Sequence, residues 1–71
     1  MLKAQTWILF TSDGNYLGQY SAFAPETAVR EYLMLTGEDA AETEMSYKHV
    51  NEAVERVTYG SREFFLTCLS H

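Results

Sequence analysis

Between Thr6 and Gly37 the chain reads as a β-hairpin running straight into an amphipathic helix, and the hairpin is apolar on both of its faces. The segment from Ala4 to Thr11 holds Trp7, Ile8, Leu9 and Phe10, a β-favouring run. Ser12-Asp13-Gly14-Asn15 follows, and Asp and Gly tolerate the positive φ angles that tight hairpin turns demand. Tyr16 to Phe23 then returns as a second strand. A two-residue Asp13-Gly14 loop sets Trp7 opposite Tyr20, Leu9 opposite Gly18 and Phe10 opposite Leu17. Side chains alternate with period two, so one face carries Trp7, Leu9, Tyr16 and Tyr20, and the other carries Ile8, Phe10, Leu17 and Phe23. A three-residue loop would mix the two sets.

The helix begins at Pro25, whose missing N–H costs nothing in a first turn, and Glu26 complements the positive helix start. Val29, Tyr32, Leu33 and Thr36 follow the spacing of one helical face, with Ala28 and Leu35 beside it. Arg30, Glu31 and Met34 fall nearer the other side, and Gly37 is placed to end the helix in a left-handed conformation. Ala24-Pro25-Glu26-Thr27-Ala28-Val29 after a hairpin is a common shape and points to no one family.

Residues Glu38 to Glu44 form an acidic connector, read as a solvated loop with room for one helical turn and no hydrophobic face. The next segment carries two conflicting signals. Val50, Ala53, Val54 and Val57 have helical spacing, whereas Val57-Thr58-Tyr59-Gly60-Ser61-Arg62 looks like a strand entering a turn. The expectation is a short helix or irregular run from Tyr47 to Val54, then a strand from Glu55 to Tyr59. Gly60-Ser61 turns that strand into a last one, Arg62 to Leu69. Phe64, Leu66 and Cys68 point to one side of it, and Phe65, Thr67 and Leu69 to the other. The expected fold is α+β: a small antiparallel sheet built from an N-terminal and a C-terminal β-hairpin, with one main helix packed on one face.

Size and charge narrow the function classes. The chain has 71 residues and is read as a single domain, 1–71. A domain this short buries only about 60% of its unfolded surface and usually gains a disulfide, a metal or a partner. Cys68 is the lone cysteine, so an intrachain disulfide is excluded. The net charge is −5, and the five basic residues Lys3, Arg30, Lys48, Arg56 and Arg62 are scattered along the sequence. Nucleic acid and anionic lipid are both bound through Lys and Arg, so neither is an expected partner. No apolar run approaches a membrane span, and the N-terminus lacks the apolar core of a signal peptide, so a cytoplasmic protein is expected.

Chemistry-bearing patterns are few. Cys68 sits among Phe64, Leu66 and Leu69, where a thiol packs as a small hydrophobe, and no local motif pairs it with His49 or His71. His49 with Glu52 and Cys68 with His71 share i, i+3 spacing, but Cys68 and His71 would point to opposite faces of a strand, a poor zinc platform. Asp13-Gly14-Asn15 lacks the further acidic ligands of a calcium loop, and the dispersed glycines make no phosphate cradle. Trp7 and Tyr20 are the aromatic pair best placed to stack on bases, without a basic patch beside them in sequence.

The expectation is therefore a non-enzymatic protein–protein interaction or assembly module with no cofactor and no metal. One helix covers one hairpin face, and the other would remain an apolar patch larger than monomers usually tolerate. A homodimer through a sheet face, a different protein, or the chain's own segment from Met45 to Val57 would cover it. The face of Trp7, Leu9, Tyr16 and Tyr20 is expected to be the outer one and hence the interface. The alternative is a small-ligand-binding or regulatory domain, for which the sequence names no convergent polar groups.

Overall fold

The computed structural model of the chain describes residues 4–69. Five strands and one helix follow in the order β1 (Gln5–Phe10), β2 (Tyr16–Ala22), α1 (Pro25–Leu35), β3 (Met45–His49), β4 (Glu55–Tyr59) and β5 (Arg62–Cys68), with a 3-10 turn at Glu42–Glu44 before β3. All strands form one antiparallel sheet in the order β2-β1-β5-β4-β3. The helix lies on one face and links one edge strand to the other, so the α+β architecture is as the sequence predicts.

The first hairpin closes through three residues, not two. Thr11 N–H donates to the Asn15 carbonyl at 2.9 Å, and Gly14 N–H to the Thr11 carbonyl at 3.0 Å, with Gly14 at φ +88°. Side chains fasten the same turn: the Asn15 N–H donates to Thr11 Oγ1 at 3.1 Å, and Thr11 Oγ1 bonds the Asp13 carboxylate. A three-residue loop displaces the register by one, which sets Phe10 opposite Tyr16. A β-bulge between that pair and Leu9↔Gly18 puts the register back, so Trp7 still faces Tyr20. Leu17 is the extra residue and packs against the core, while Tyr16 shares the face of Phe10. Tyr16 and Leu17 have thus exchanged faces relative to the two-residue expectation.

Gly18 makes the bulge possible. Its φ is +122°, and a Cβ there would stand 2.9 Å from the Tyr20 hydroxyl oxygen, because the Tyr20 ring lies over the glycine. That hydroxyl donates to the Leu17 carbonyl at 2.9 Å, closing the bulge from above.

Helix α1 begins at Pro25 as expected and ends in a Schellman motif. Gly37 sits at φ +91°, Glu38 N–H donates to the Leu33 carbonyl at 2.8 Å, and Gly37 N–H to the Met34 carbonyl at 3.1 Å. Ala28, Val29 and Leu33 are buried, Tyr32 is partly so, and Leu35 points to solvent. The connector is less solvated than its composition implies. Ala40 is buried in the core, Thr27 Oγ1 donates to Glu42 Oε1 at 3.0 Å, and Arg62 Nη1 donates to Glu38 Oε1 at 2.5 Å.

The largest departure is at residues 45–54. Met45–His49 is an edge strand paired with β4, where the sequence suggested a helix or an irregular run from Tyr47. The valine spacing that suggested the helix is divided among unlike elements: Val50 lies exposed in the connecting turn and Val57 is buried in β4. Asn51 builds that turn, its Oδ1 accepting the backbone N–H of Ala53 at 2.8 Å and of Val54 at 3.1 Å. Gly60, at φ +64°, supplies the positive φ for the tight turn between β4 and β5.

The core lies between α1 and one sheet face. It comprises Trp7, Leu9, Ala22, Ala28, Val29, Leu33, Ala40, Val57, Phe64 and Leu66. Trp7 donates its indole N–H to the Ala22 carbonyl at 3.1 Å, so this ring is buried with its polar atom satisfied. Edge-on contacts between Tyr20 and Tyr32 and between Tyr32 and Phe64 continue the layer, with ring centroids 6.2 and 5.9 Å apart.

The close approach at the bulge gives a test. Gly18→Ala is expected to destabilise the fold by about 1–3 kcal/mol, from backbone strain and displacement of Tyr20. Urea unfolding of the two proteins measures it, and an unchanged midpoint would show that the bulge does not need glycine.

Candidate functional site

The helix covers the Trp7 face, which reverses the expectation that this face is the outer one. Of the four residues assigned to an interface, Trp7 is 6% exposed and Leu9 fully buried, and Tyr20 packs against the core under Tyr32. Tyr16 alone is open, at 63% exposure, because the bulge carries it to the opposite face. The physical reason is fit. Ala22 is buried with Val29 and Leu33 in one core, and the indole finds its acceptor on that side.

The surface left open is the other side of the sheet. Register places five residues of that side in one row across all five strands: Tyr16 opposite Phe10, Phe10 opposite Phe65, Phe65 opposite Arg56, and Arg56 opposite Lys48. At the usual strand spacing the row is about 19 Å long. Its first three members are aromatic and its last two cationic. Phe10 and Phe65 are half-buried and stack with centroids 6.1 Å apart and an interplanar angle of 24°. Ile8 and Thr67 pair in the next row and extend the apolar centre. Arg56 Nη1 lies 3.6 Å from Glu63 Oε2, while its Nε is buried with no acceptor among the described residues.

Charge is sorted by layer. Glu26, Glu31, Glu38, Asp39, Glu42 and Glu44 belong to the helix and connector. By register, Glu63 is the acidic strand residue on the open face, against Arg56 and Lys48. The fold therefore gathers two of the scattered cations beside an aromatic cluster, on a face turned away from most of the carboxylates. Sequence spacing conceals this, since the row joins residues from Phe10 to Phe65 through four separate strand pairings. The alternation of β5, which the sequence carries, puts Phe65 and Thr67 on this side but does not by itself say that Phe10 lies beside them.

A second polar group sits on the helix side of the β3 edge. Tyr47 donates its hydroxyl to the Glu55 carboxylate, and His49 Nδ1 lies 2.7 Å from Glu55 Oε2. Glu55 thus ties two residues of the edge strand to β4. His49 does not join Cys68 in a ligand set: Cys68 lies half-buried on β5 opposite Trp7, two strands from β3. Among the described residues no group of three His, Cys, Asp or Glu side chains is placed to hold a metal ion, and His71 lies outside those residues. No helix of the described residues is long and apolar enough to cross a membrane.

The hydrogen bond to Glu55 pushes the Tyr47 phenol up to about 12, with smaller contributions from burial and from the charges of Glu55 and Glu26. Tyr47 therefore holds its proton more tightly in the folded chain than in the unfolded one. The stability this provides is present below about pH 10 and is lost as pH rises through about 12, and it is small because the ring is largely exposed. An absorbance titration of tyrosinate should show a late component that disappears in Tyr47→Phe and moves down in Glu55→Gln. A titration unaffected by either substitution would show that the contact does not persist in solution. Set against protein-family models, curated proteins and solved structures, the chain has no match.

Proposed function

We propose that the chain is a non-enzymatic protein-binding or assembly module that works through the open face of its sheet. The observation that carries this reading is the row Tyr16, Phe10, Phe65, Arg56 and Lys48. Three rings beside two cations fit a protein segment that presents apolar side chains to one half and carboxylates to the other. Aromatic residues and Arg are the types that most often anchor such contacts. The sorted charge supports the same partner, since an acidic segment is repelled by the helix layer and attracted to the Arg56 and Lys48 end.

Single-stranded nucleic acid is the competing occupant, because sheet-borne rings with cations beside them can stack bases and hold phosphates. The low cation count weighs against it: two positive side chains, one of them facing Glu63, neutralise few phosphates. The reading places the protein among binding modules without a cofactor, with cytoplasm as its expected compartment.

The test is a photo-crosslinking residue in place of Phe65 in the full chain, expressed in the native host, with the same residue at Met34 on the exposed side of the helix as control. Protein adducts at position 65 and not at 34 are expected. Adducts with nucleic acid at position 65, or none there at all, would overturn the reading.

A further inference from the structure

The sheet has two edges, and they differ in how they are guarded. The β3 edge carries Lys48 and His49 within the strand, with Glu44 and Glu52 on its flanks. Charges of this kind, Lys above all, oppose pairing with another strand. The β2 edge has none: no charged residue occurs from Gly14 to Pro25.

The backbone of β2 has unused pairing capacity. The Thr6 carbonyl accepts the Leu69 N–H at 2.8 Å, so Thr6 turns its backbone polar groups toward β5. In an antiparallel strand this direction alternates, so Gln5, Trp7 and Leu9 turn theirs toward β2. Their partners Ala22, Tyr20 and Gly18 close that ladder. Gln19 and Ser21 are then left with N–H and C=O directed away from the sheet. Both have exposed side chains, and the bulge distorts the opposite end of the strand, at Leu17.

Exposed rings stand at both ends of this strand, Tyr16 at 63% and Phe23 at 65% exposure. The arrangement complements itself. A two-fold axis at Tyr20 would pair Gln19 of one copy with Ser21 of the other twice over, forming about four inter-chain backbone hydrogen bonds. The same axis sets Phe23 of each copy beside the Tyr16 and Leu17 end of its partner. Two chains of charge −5 repel, and the uncharged stretch is where they approach at least electrostatic cost.

We infer that β2 is a self-pairing edge, through which two copies join in a continuous ten-stranded sheet with the helices on one side. The contact is smaller than the roughly 1,600 Å² of a standard interface, so the dimer is concentration-dependent. Salt strengthens it by screening the like charges. The inference is separate from the identity of whatever binds the open face. The dimer would present two aromatic rows, one from each copy, on a single surface.

Sedimentation of the full chain from micromolar to millimolar concentration tests it, together with Ser21→Pro. The substitution removes an outward N–H and leaves the β1 ladder intact, a site where an edge strand tolerates proline. The wild-type mass is expected to rise from monomer to dimer, more readily at high salt, while folded Ser21→Pro stays monomeric. In wild-type protein the Gln19 and Ser21 amides should exchange more slowly as concentration rises. That measurement decides the matter even if the proline variant fails to fold. A wild-type chain that stays monomeric overturns the inference, as does exchange at these amides that is independent of concentration. A dimer that survives Ser21→Pro and is lost in Phe65→Lys also overturns it, while leaving the open-face reading standing.

Discussion

The contact of Val29 and Leu33 with Trp7, Leu9, Phe64 and Leu66 is what the rest of the structure depends on. A five-stranded antiparallel sheet has two faces, and one eleven-residue helix can cover only one of them. Once the helix has settled over Trp7, the residues of the opposite face have no cover among the described elements. The choice of face is therefore also the choice of which aromatic surface stays open. The hydrogen bond from Trp7 to the Ala22 carbonyl favours burial of this face over that of Ile8 and Phe10. The acceptor removes the desolvation penalty that an unmet indole donor would carry on burial.

Local features of the chain were legible because they rest on local chemistry. Pro25 and Gly37 bound the helix by backbone geometry alone. The choice of face was not legible, because both hairpin faces are apolar and hydrophobic pattern cannot rank them. The bulge was hidden for a related reason. A three-residue loop and a one-residue bulge cancel beyond Leu9, so the two-residue count gives the right partners for Trp7 and Leu9 and the wrong sides for Tyr16 and Leu17. β3 was lost because an exposed edge strand buries little. Met45 is its half-buried member, and the short alternation of Met45 and Tyr47 with Ser46 and Lys48 competes with the helical valine spacing that follows it. The row on the open face depends on the pairing of Phe10 with Phe65, which joins the two hairpins, so it exists only once that register is known.

The sorting of charge changes what the net value of −5 implies. A uniform acidic surface would repel any acidic partner. Folding places six carboxylates on the helix and connector, where Arg30 lies 3.8 Å from Glu42 and Arg62 bonds Glu38. Lys48 and Arg56, from the other end of the chain, reach the far side of the sheet. With a Debye length of about 8 Å in physiological salt, a partner at the open face senses these two cations more than the helix-side carboxylates. Net charge describes the approach of a distant partner, and local charge describes the contact.

Marginal size links the two surfaces. A chain of this length gives up much of its potential core to solvent, and here a stacked phenylalanine pair and an uncharged strand edge lie on that exposed part. Residues selected only for solubility would be polar at Phe10, Phe65 and Tyr16, as they are at Gln19 and Ser21. Apolar side chains on a face that no described element covers raise the monomer's risk of aggregation. An uncovered edge adds the same risk through its backbone. Both liabilities are removed together if the chain works in an assembly, with its edge paired to a second copy and its open face against a partner. The two features are then parts of one design, in which a domain too small to bury all its apolar surface completes its packing through others.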